Sequence, residues 1–322
     1  MNYYALTPDV IVDAMMSIGL HVDSGLMALN SYENRVYRFK SEQDGALVAK
    51  FYRPGRWSQT QIQDEHDFLF ALAKAKVRVA LPLVREQQSV FLFNGILFAV
   101  WPAIAARQFE ADNLDQLEAL GEQLALVHQV GATINLAHRP TLSTEEYLLR
   151  ARQVLATEAL IPLKLKEAFF NRLDALIART CVLYQPKRLI MLHGDCHSSN
   201  ILWHDGPWLL DFDDCRRGPA VQDLWLMLSG SRQEQLLQLD TLLSGYESVR
   251  EFDNSELALI EPLRAMRMVN YMAWLAARWS DPAFPVNFPW FNTPDYWQQQ
   301  LAVLSEQLQN LDVLPLSLNS WG

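Results

Sequence analysis

Residues that suit phosphoryl transfer lie together in one stretch of the chain, MLHGDCHSSNILWHDGPWLLDFDD at residues 191–214. Asn200 and Asp211 offer the amide and carboxylate oxygens that Mg²⁺ prefers, and a strand, turn and strand between them would bring both to one edge. Asp195 offers a carboxylate for the hydroxyl group that would accept the phosphoryl group. The stretch therefore favours a metal and phosphate site over a polar loop whose charges are only solvated.

Two spaced motifs in this stretch resemble those of a known family. His193 to Asn200 read HGDxHxxN, and an apolar run ends at Asp211 in LLDFDD. Both resemble the catalytic and metal loops of the aminoglycoside phosphotransferase family, within the protein-kinase-like superfamily. The resemblance implies an ATP- and Mg²⁺-dependent enzyme in which Asp195 and Asp211 are catalytic and Asn200 and Asp211 bind the metal. It also implies that His193 and His197 hold the loop by hydrogen bonds and do not bind a metal.

The same resemblance implies a phosphate-binding lysine and turn earlier in the chain. Lys50 in LVAKFY has apolar neighbours, so its ammonium group needs a partner if it is buried. Glu65 lies on the apolar stripe of the next predicted helix, which indicates the lysine–glutamate pair of kinases. A snorkelling lysine at a sheet edge is the alternative. Ser31 is the first candidate in the turn over the phosphates, ahead of Asn34 and Arg35, and an ordinary hairpin turn is the alternative.

Other polar residues around this stretch have two interpretations each. Asp213 is either a second metal contact or a solvated carboxylate, whereas Asp223 resembles the family's buried acid that braces the catalytic loop. Cys196 and Cys215 are either sensitive to oxidation or small residues that fill space. Because Asp223 follows Asp211 closely, no long activation segment fits between them. We therefore expect no switch by phosphorylation of such a segment.

The elements that would carry these residues change type after the first hundred positions. The runs RVYRF, LVAKFY and the two apolar runs around Asn94 and Gly95 predict antiparallel strands, with one inserted helix at SQTQIQDEHDFLFALAKA. A short helix with Thr7 as its N-cap is predicted before them, and helical spacing dominates after them. The sequence predicts an α+β fold with a β-rich nucleotide-binding lobe at 1–102 and a mainly helical catalytic and substrate lobe at 103–322. The resemblance implies the bilobal arrangement of protein kinases.

The composition narrows the class of protein. A formal net charge of −10 at pH 7 argues against binding nucleic acid mainly through its phosphates, which needs an excess of lysine and arginine. The 3 cysteines fit neither a disulfide framework nor a paired zinc motif, which indicates a reducing compartment. No apolar run approaches the ~20 residues of a membrane span, and the first residues lack a basic signal region. A cytoplasmic protein that binds neither nucleic acid nor membrane is expected.

The whole chain resembles one bacterial group in this superfamily, the stress response kinase A group of serine/threonine protein kinases. The runs that carry the resemblance include DSGLMALNSYENRVYRF, VAKFYRPGRW, LHGDCHSSNILW and DPAFPVNFPW. The resemblance implies phosphorylation of protein serine or threonine, autophosphorylation, a monomer and a role in surviving stress. From the residues alone, a kinase for choline, homoserine, a sugar or an aminoglycoside is the nearest alternative. More distant are a metal-dependent hydrolase that uses His193, Asp195, His197 and Asp211, and a pseudokinase that binds without turnover.

Overall fold

An antiparallel sheet of five strands forms from the first part of the chain, in the order β1-β2-β3-β5-β4. It is seen in a computed structural model that describes residues 6–158 and 160–318. Its strands are β1 (Met27–Leu29), β2 (Arg35–Ser41), β3 (Gly45–Phe51), β4 (Phe91–Phe93) and β5 (Ile96–Pro102). The runs RVYRF and LVAKFY form the neighbouring strands β2 and β3, as predicted from their β-branched and aromatic residues.

Two helices accompany these strands, and both begin at side-chain caps. Helix α1 (Pro8–Met16) begins after Thr7, whose hydroxyl oxygen accepts a hydrogen bond from the N–H of Val10 at 3.4 Å. Helix α2 (Gln59–Lys74) lies between β3 and β4 in the chain and begins with a capping box at Ser58. The predicted helix in the SQTQIQDEHDF run is therefore confirmed.

A two-residue turn joins β4 to β5. Asn94 and Gly95 have φ angles of 49° and 81°, both in the left-handed region. A two-residue hairpin turn of this type has a twist that matches the flanking strands. It requires positive φ at both central residues, which Asn and Gly adopt most easily. The predicted Asn-Gly hairpin is confirmed.

The two faces of the sheet differ because successive side chains of a strand point to opposite sides. Ala49 and Phe51 of β3 belong to a buried apolar cluster that also contains residues of α1. Lys50 lies between them and therefore points to the other face. Its partner in the β3–β5 register is Ala99, which packs with Ile62 of α2. The face that carries Lys50 is thus the face on which α2 packs.

Helices dominate the rest of the described chain. They are α3 (Leu114–Gly131), α4 (Ala151–Thr157), α5 (Leu163–Leu183), α6 (Gln222–Trp225), α7 (Arg232–Glu247), α8 (Ile260–Ala277), α9 (Ala283–Asn287) and α10 (Pro294–Asn310), with a π-helical stretch at Glu145–Arg150. Short 3₁₀ turns lie at Ser198–Asn200, Phe212–Asp214 and Asn254–Leu259. Within residues 6–158 and 160–318, every helix is too short or too polar to cross a membrane.

Short strands interrupt the helices. A three-stranded sheet has the order β6-β8-β9, and its strands are β6 (Arg107–Gln108), β8 (Ile201–Trp203) and β9 (Pro207–Leu209). A separate antiparallel pair consists of β7 (Ile190–Leu192) and β10 (Arg216–Gly218). Antiparallel sheets together with many helices confirm the predicted α+β class.

Contacts along the chain divide it into two units. The first unit combines Met1–Arg139, His193–Cys215 and Thr241–Glu251, and the second combines Pro140–Leu192, Arg216–Asp240 and Phe252–Gly322. This division differs from the lobes at 1–102 and 103–322, because residues 193–215 group with the five-stranded sheet. The boundary at 102 stays a prediction. All of the predicted site residues lie in the first unit, namely Ser31, Lys50, Glu65, Asp195, Asn200 and Asp211.

Two glycines let α3 and α7 approach each other at the level of the backbone. A Cβ atom added at Gly121 of α3 would lie 2.0 Å from the carbonyl oxygen of Leu242. One added at Gly245 of α7 would lie 1.9 Å from the carbonyl oxygen of Glu118. A larger residue at either position therefore forces a helix backbone to move.

We expect Gly121→Ala to lower the free energy of unfolding by about 1–3 kcal/mol, because the added methyl group meets backbone that cannot yield. The midpoint of urea unfolding, followed by circular dichroism, measures the loss. Gly25→Ala is the matched control, since a Cβ atom there meets nothing within 4 Å. Equal midpoints for the two variants would contradict the close approach of α3 and α7.

Candidate active site

His193 ties the loop that carries Asp195 to the residue before Asp211. Its Nε2 atom donates to the carbonyl oxygen of Leu210 at 2.8 Å, and its Nδ1 atom accepts from the N–H of Asp195 at 3.3 Å. Since a carbonyl oxygen only accepts and an N–H only donates, the ring proton lies on Nε2. The ring is buried and packs on Phe212, with 4.4 Å between ring centroids. These contacts agree with the predicted scaffolding role of His193.

Asn200 is held by three hydrogen bonds. Its Nδ2 atom donates to the carbonyl oxygen of Asp195 at 3.0 Å, and its N–H donates to the carbonyl oxygen of His197 at 2.9 Å. Its own carbonyl oxygen accepts from the N–H of Leu210 at 2.9 Å. Because Nδ2 is engaged, Oδ1 is the side-chain atom of Asn200 that a hard metal ion would use. One loop therefore fixes both the predicted base and a predicted metal ligand.

The carboxylate of Asp195 is only partly covered. Its side chain is 27% exposed, and Nε2 of His197 lies 3.4 Å from its Oδ2 atom. An acceptor hydroxyl can therefore approach Asp195, whereas the main chain beside it is fixed by His193 and Asn200.

Asp211 has a left-handed backbone, with φ 57° and ψ 66°. Most residues with a Cβ atom avoid this region, and Asp and Asn tolerate it best. The side chain is 49% exposed, and its Oδ1 atom accepts a hydrogen bond from Lys50 at 2.7 Å. Strained backbone of this kind persists where the surrounding structure holds it, and it is frequent at binding sites. We call residues 211–215 the aspartate loop.

Lys50 is buried among carboxylates. Its Nζ atom lies 2.7 Å from Oδ1 of Asp211, 3.2 Å from Oδ1 of Asp213 and 5.4 Å from the centroid of the Trp101 ring. Burial alone would lower the pKa of Lys50, but the negative charges of Asp211, Asp213 and Glu65 outweigh it and raise the pKa above its ordinary value. The ammonium group is thus the positive centre of this cluster.

Glu65 lies beside this cluster without a hydrogen bond to it. It is 1% exposed, as its place on the apolar stripe of α2 predicts, and its Oε2 atom has no hydrogen-bond partner. Burial raises the pKa of Glu65 to about 8, against the opposing effect of the Lys50 charge. The sequence predicts a pair between Lys50 and Glu65. In the structure, Lys50 instead donates to Asp211 and Asp213. A role for Glu65 in fixing the lysine stays a prediction.

The turn between β1 and β2 (residues 30–34, the β1–β2 turn) is joined to the aspartate loop. Nδ2 of Asn34 donates to Oδ2 of Asp213 at 2.7 Å, and Oδ1 of Asn34 accepts from the N–H of Arg53 at 3.3 Å. Within the turn, Oγ of Ser31 accepts from the N–H of Asn34 at 3.3 Å. The role of Ser31 in phosphate binding stays a prediction.

Asp213 is a buried, bonded carboxylate, so the solvated alternative is wrong. It is 4% exposed. Burial would raise the pKa of Asp213, but the positive charges of Lys50 and Arg56 outweigh it and hold the pKa below its ordinary value. Its ionised form is therefore built into the site.

Arg139 belongs to the site, although nothing in the sequence singled it out. Its Nε atom donates to the carbonyl oxygen of Cys215 at 2.8 Å, and Nη2 donates to the carbonyl oxygen of Asp213. Its Nη1 atom donates to the carbonyl oxygen of Gln61 in α2 at 3.2 Å, and the guanidinium lies 4.3 Å from the ring centroid of Trp57. Arg139 thus holds the backbone of the aspartate loop against α2.

Cys196, Cys215 and Asp223 are buried. Cys196 and Cys215 are 0% exposed, and neither they nor Cys181 form a disulfide bond. Burial favours the interpretation that they fill space over that of oxidation-sensitive thiols. Asp223 is 0% exposed within α6. Its predicted bracing role stays a prediction.

The oxygen atoms of Asn200 and Asp211 fit a hard divalent ion. Mg²⁺ keeps several waters and takes few ligands from a protein. In residues 6–158 and 160–318, no group of 3 or more His, Cys, Asp and Glu is arranged to hold a metal ion. Both ring nitrogens of His193 are engaged with backbone atoms. The donor set therefore fits Mg²⁺ better than the zinc or iron of the hydrolase alternative.

The sequence matches known proteins along most of its length. Residues 26–260 match the model of the phosphotransferase enzyme family, APH. Stress response kinase A of Escherichia coli K12 is 49% identical over 318 residues, which are 98% of this chain and 97% of that protein. The serine/threonine protein kinase RdoA of Salmonella typhimurium LT2 is also 49% identical, with the same shares of the two chains covered.

Solved structures of kinases are similar in fold. Amicoumacin kinase hAmiN, in complex with AMP-PNP, Ca²⁺ and Ami, superposes with a TM-score of 0.76 at 20% identity, covering 98% of this chain and 96% of that one. The microcompartment-associated aminopropanol kinase gives a TM-score of 0.74 at 17% identity, covering 95% and 99%. At these identities the similarity concerns the fold.

We expect the wild-type protein to lose stability relative to Glu65→Gln as the pH rises from 4.5 to about 8. In this window the buried carboxyl group keeps its proton while the same group in the unfolded chain ionises. The folded state then binds more protons than the unfolded state, so rising pH favours unfolding. Glutamine cannot ionise and removes this contribution.

The midpoints of urea unfolding of both proteins, taken between about pH 5 and about pH 8, measure the effect. This range begins just above the ordinary pKa of a glutamate side chain. Glu42→Gln, at an exposed position between β2 and β3, serves as the control. A difference between wild type and Glu65→Gln that stays constant across the pH range would contradict the raised pKa.

Proposed function

Since the chain belongs to the phosphotransferase enzyme family, we propose that it is an ATP- and Mg²⁺-dependent kinase for serine and threonine hydroxyls of proteins, including its own. The observation that carries this proposal is the connection of three residues in one unit. Asp195, Asn200 and Asp211 are tied together through the side chains of His193 and Asn200. Together they provide a base and two metal ligands beside a buried lysine.

Asp195 would orient the acceptor hydroxyl and accept its proton. Its main chain is fixed by hydrogen bonds to His193 and Asn200, while its side chain is 27% exposed. A carboxylate held in this way contributes mainly by aligning the hydroxyl for attack on the γ-phosphorus atom.

Asn200 and Asp211 would hold Mg²⁺ through Oδ1 and the carboxylate. The ion, when bound, would neutralise negative charge on the phosphates. The left-handed backbone of Asp211 and the hydrogen bond from Nδ2 of Asn200 keep these two oxygen donors in place before any ligand arrives. Such preorganisation avoids the cost of ordering the site at the moment of reaction.

Lys50 would bind the α- and β-phosphates. Its present partners are two carboxylates, Asp211 and Asp213, so a phosphate oxygen would replace a group of the same charge sign. Glu65 lies next to it with a carboxyl oxygen that has no hydrogen-bond partner. This oxygen would accept a hydrogen bond from Lys50 once the lysine turns to phosphate.

A row of side chains across the sheet supports nucleotide binding beside Lys50. Leu29, Val36, Lys50 and Ala99 are successive partners across β1, β2, β3 and β5. Directly paired residues of neighbouring strands share one face, so three apolar side chains accompany the lysine. Leu29 and Val36, which are exposed or partly exposed, would form an apolar wall for adenine, whereas Ala99 is buried against Ile62. Ser31 in the β1–β2 turn would contact the phosphates.

A protein hydroxyl is proposed as the acceptor because of the full-length relatives. The protein named serine/threonine protein kinase RdoA is 49% identical over 98% of this chain. The amicoumacin and aminopropanol kinases are only 20% and 17% identical, so their acceptors do not define that of this chain. By the same reasoning, and from the name stress response kinase A, we infer a monomer that acts in stress survival. The absence of a disulfide among Cys181, Cys196 and Cys215 fits a place in the cytoplasm.

Asp195→Asn should lower phosphoryl transfer from radiolabelled ATP by about 10²–10⁴-fold while ATP binding persists, because the amide cannot accept the hydroxyl proton. The matched control is Asp205→Asn, since Asp205 lies in the β8–β9 turn with its side chain 89% exposed. Transfer retained by Asp195→Asn would overturn the assignment of the base.

The acceptor class can be tested by offering radiolabelled ATP to the protein alone, to a generic protein acceptor, and to a panel of choline, homoserine, sugars and aminoglycosides. We expect label on serine or threonine of the enzyme and of the protein acceptor, as the relatives' names indicate. Label found only in a metabolite would replace the protein-kinase proposal with a small-molecule kinase.

A further inference from the structure

One arginine contacts both the aspartate loop and the β1–β2 turn. Nη2 of Arg56 lies 2.9 Å from Oδ1 and 2.9 Å from Oδ2 of Asp214. Nη1 lies 3.4 Å from Oε2 of Glu33 and 3.9 Å from Oδ2 of Asp213. All four residues belong to the first unit. A single guanidinium group therefore bridges two segments that are far apart in the sequence.

On the basis of the proposed kinase function, we propose that Arg56 is a positioning residue that holds the aspartate loop and the β1–β2 turn in one arrangement for phosphoryl transfer. Arg56 has no contact with Asp195, Asn200 or Asp211 in the structure, so it acts through its carboxylate partners. Its effect is to fix the metal-binding end of the site relative to the phosphate-binding end.

The partner on the β1–β2 turn is itself immobilised. Nε of Arg53 lies 3.2 Å from Oε1 of Glu33 and donates to the carbonyl oxygen of Glu33 at 3.1 Å. Arg53 thus holds one oxygen of the Glu33 carboxylate while Arg56 holds the other. Movement of the turn is therefore transmitted to Arg56.

A second link runs beside the first. Asn34 donates to Asp213 at 2.7 Å, so the β1–β2 turn reaches the aspartate loop through a neutral amide as well as through the guanidinium group. Two adjacent links restrain rotation of the loop as well as its distance from the turn. The hydrogen bond from Asn34 holds Asp213 only, so it does not replace the contact between Arg56 and Asp214.

The geometry of the Arg56–Asp214 pair suits this task. Two hydrogen bonds from one guanidinium nitrogen to both carboxylate oxygens fix the position of the carboxylate, and the partly buried setting strengthens the attraction. In kinases that are switched by phosphorylation, a phosphate paired with arginine orders the activation segment. Here the aspartate loop carries its own negative group at Asp214, so the pair forms without a modification.

The test uses Arg56→Gln, Asp214→Asn and the double variant. Each single change should raise the Mg²⁺ concentration for half-maximal transfer, or lower kcat, by about tenfold or more, as loss of an outer contact to metal-site residues commonly does. The double variant should resemble either single variant, because both changes remove the same link. Hydrogen exchange of the backbone at 211–217, measured without metal or nucleotide, should become faster in all three.

The matched control is another arginine–aspartate pair of the same unit. Nη2 of Arg85 lies 2.7 Å from Oδ1 of Asp44, which lies between β2 and β3 away from the aspartate loop. Arg85→Gln and Asp44→Asn should leave kcat, the Mg²⁺ dependence and exchange at 211–217 unchanged. Circular dichroism and urea midpoints identify variants that remain folded.

If Arg56→Gln does not fold, Arg56→Lys takes its place, because lysine keeps the charge but has no second nitrogen to contact Glu33 while the first contacts Asp214. Unchanged kcat, Mg²⁺ dependence and exchange in a folded Arg56 variant overturn the inference, even if its urea midpoint falls, since that pattern marks a purely structural pair. In that case an active wild type leaves the proposed function intact. A wild-type protein that neither binds ATP with Mg²⁺ nor transfers phosphate overturns both.

Discussion

The buried ammonium group of Lys50 is the interaction around which the first unit is organised. A cation that is 8% exposed must have partners, because an unpaired buried charge costs far more than a hydrogen bond provides. Lys50 has two bonded partners, Asp211 and Asp213, and a third carboxylate nearby at Glu65. Each of these acids comes from an element other than β3. The charge of one lysine thus draws the strand, the helix α2 and the aspartate loop to one place.

The same cluster explains why so many polar contacts surround the aspartate loop. Adjacent carboxylates repel each other, so the loop needs hydrogen-bond donors and cations in addition to Lys50. Asn34 donates to the Asp213 side chain, Arg139 donates to its carbonyl oxygen, and Arg56 pairs with Asp214. These contacts leave the carboxylate of Asp211 as the most exposed member of the group. A ligand therefore meets Asp211 as the most exposed acid of the group, next to the partly exposed Asp214 and the buried Asp213.

The parts of this site that are local in sequence could be predicted from it. The β3 pattern around Lys50, the helical stripe that buries Glu65 and the Asn-Gly turn each depend on a few neighbouring residues, and the structure confirms all three. The spacing of the two motifs around Asp195 and Asp211 likewise identified a phosphotransferase, which the family match confirms.

The side-chain partners that lie far apart in the sequence could not be predicted from it. Lys50 lies 161 positions from Asp211, and three carboxylates compete for its single charge, so small differences in burial decide which of them bonds. The sequence favoured Glu65, whose desolvation penalty is large, whereas the structure has Asp211 and Asp213. Arg139 lies in a loop without periodicity, and its contacts are to carbonyl oxygens, which every residue type carries. Nothing in its sequence surroundings indicates that role.

The left-handed backbone of Asp211 limits which residues a single mutation can place at that position. Asparagine tolerates this backbone region about as well as aspartate, whereas a β-branched or bulky residue does not. A change of the first base in an aspartate codon gives asparagine, which removes the negative charge but keeps the size of the side chain. Asparagine at this position therefore keeps the loop backbone but removes one of the two negative charges bonded to the buried Lys50, so the site keeps its shape and loses part of its charge balance.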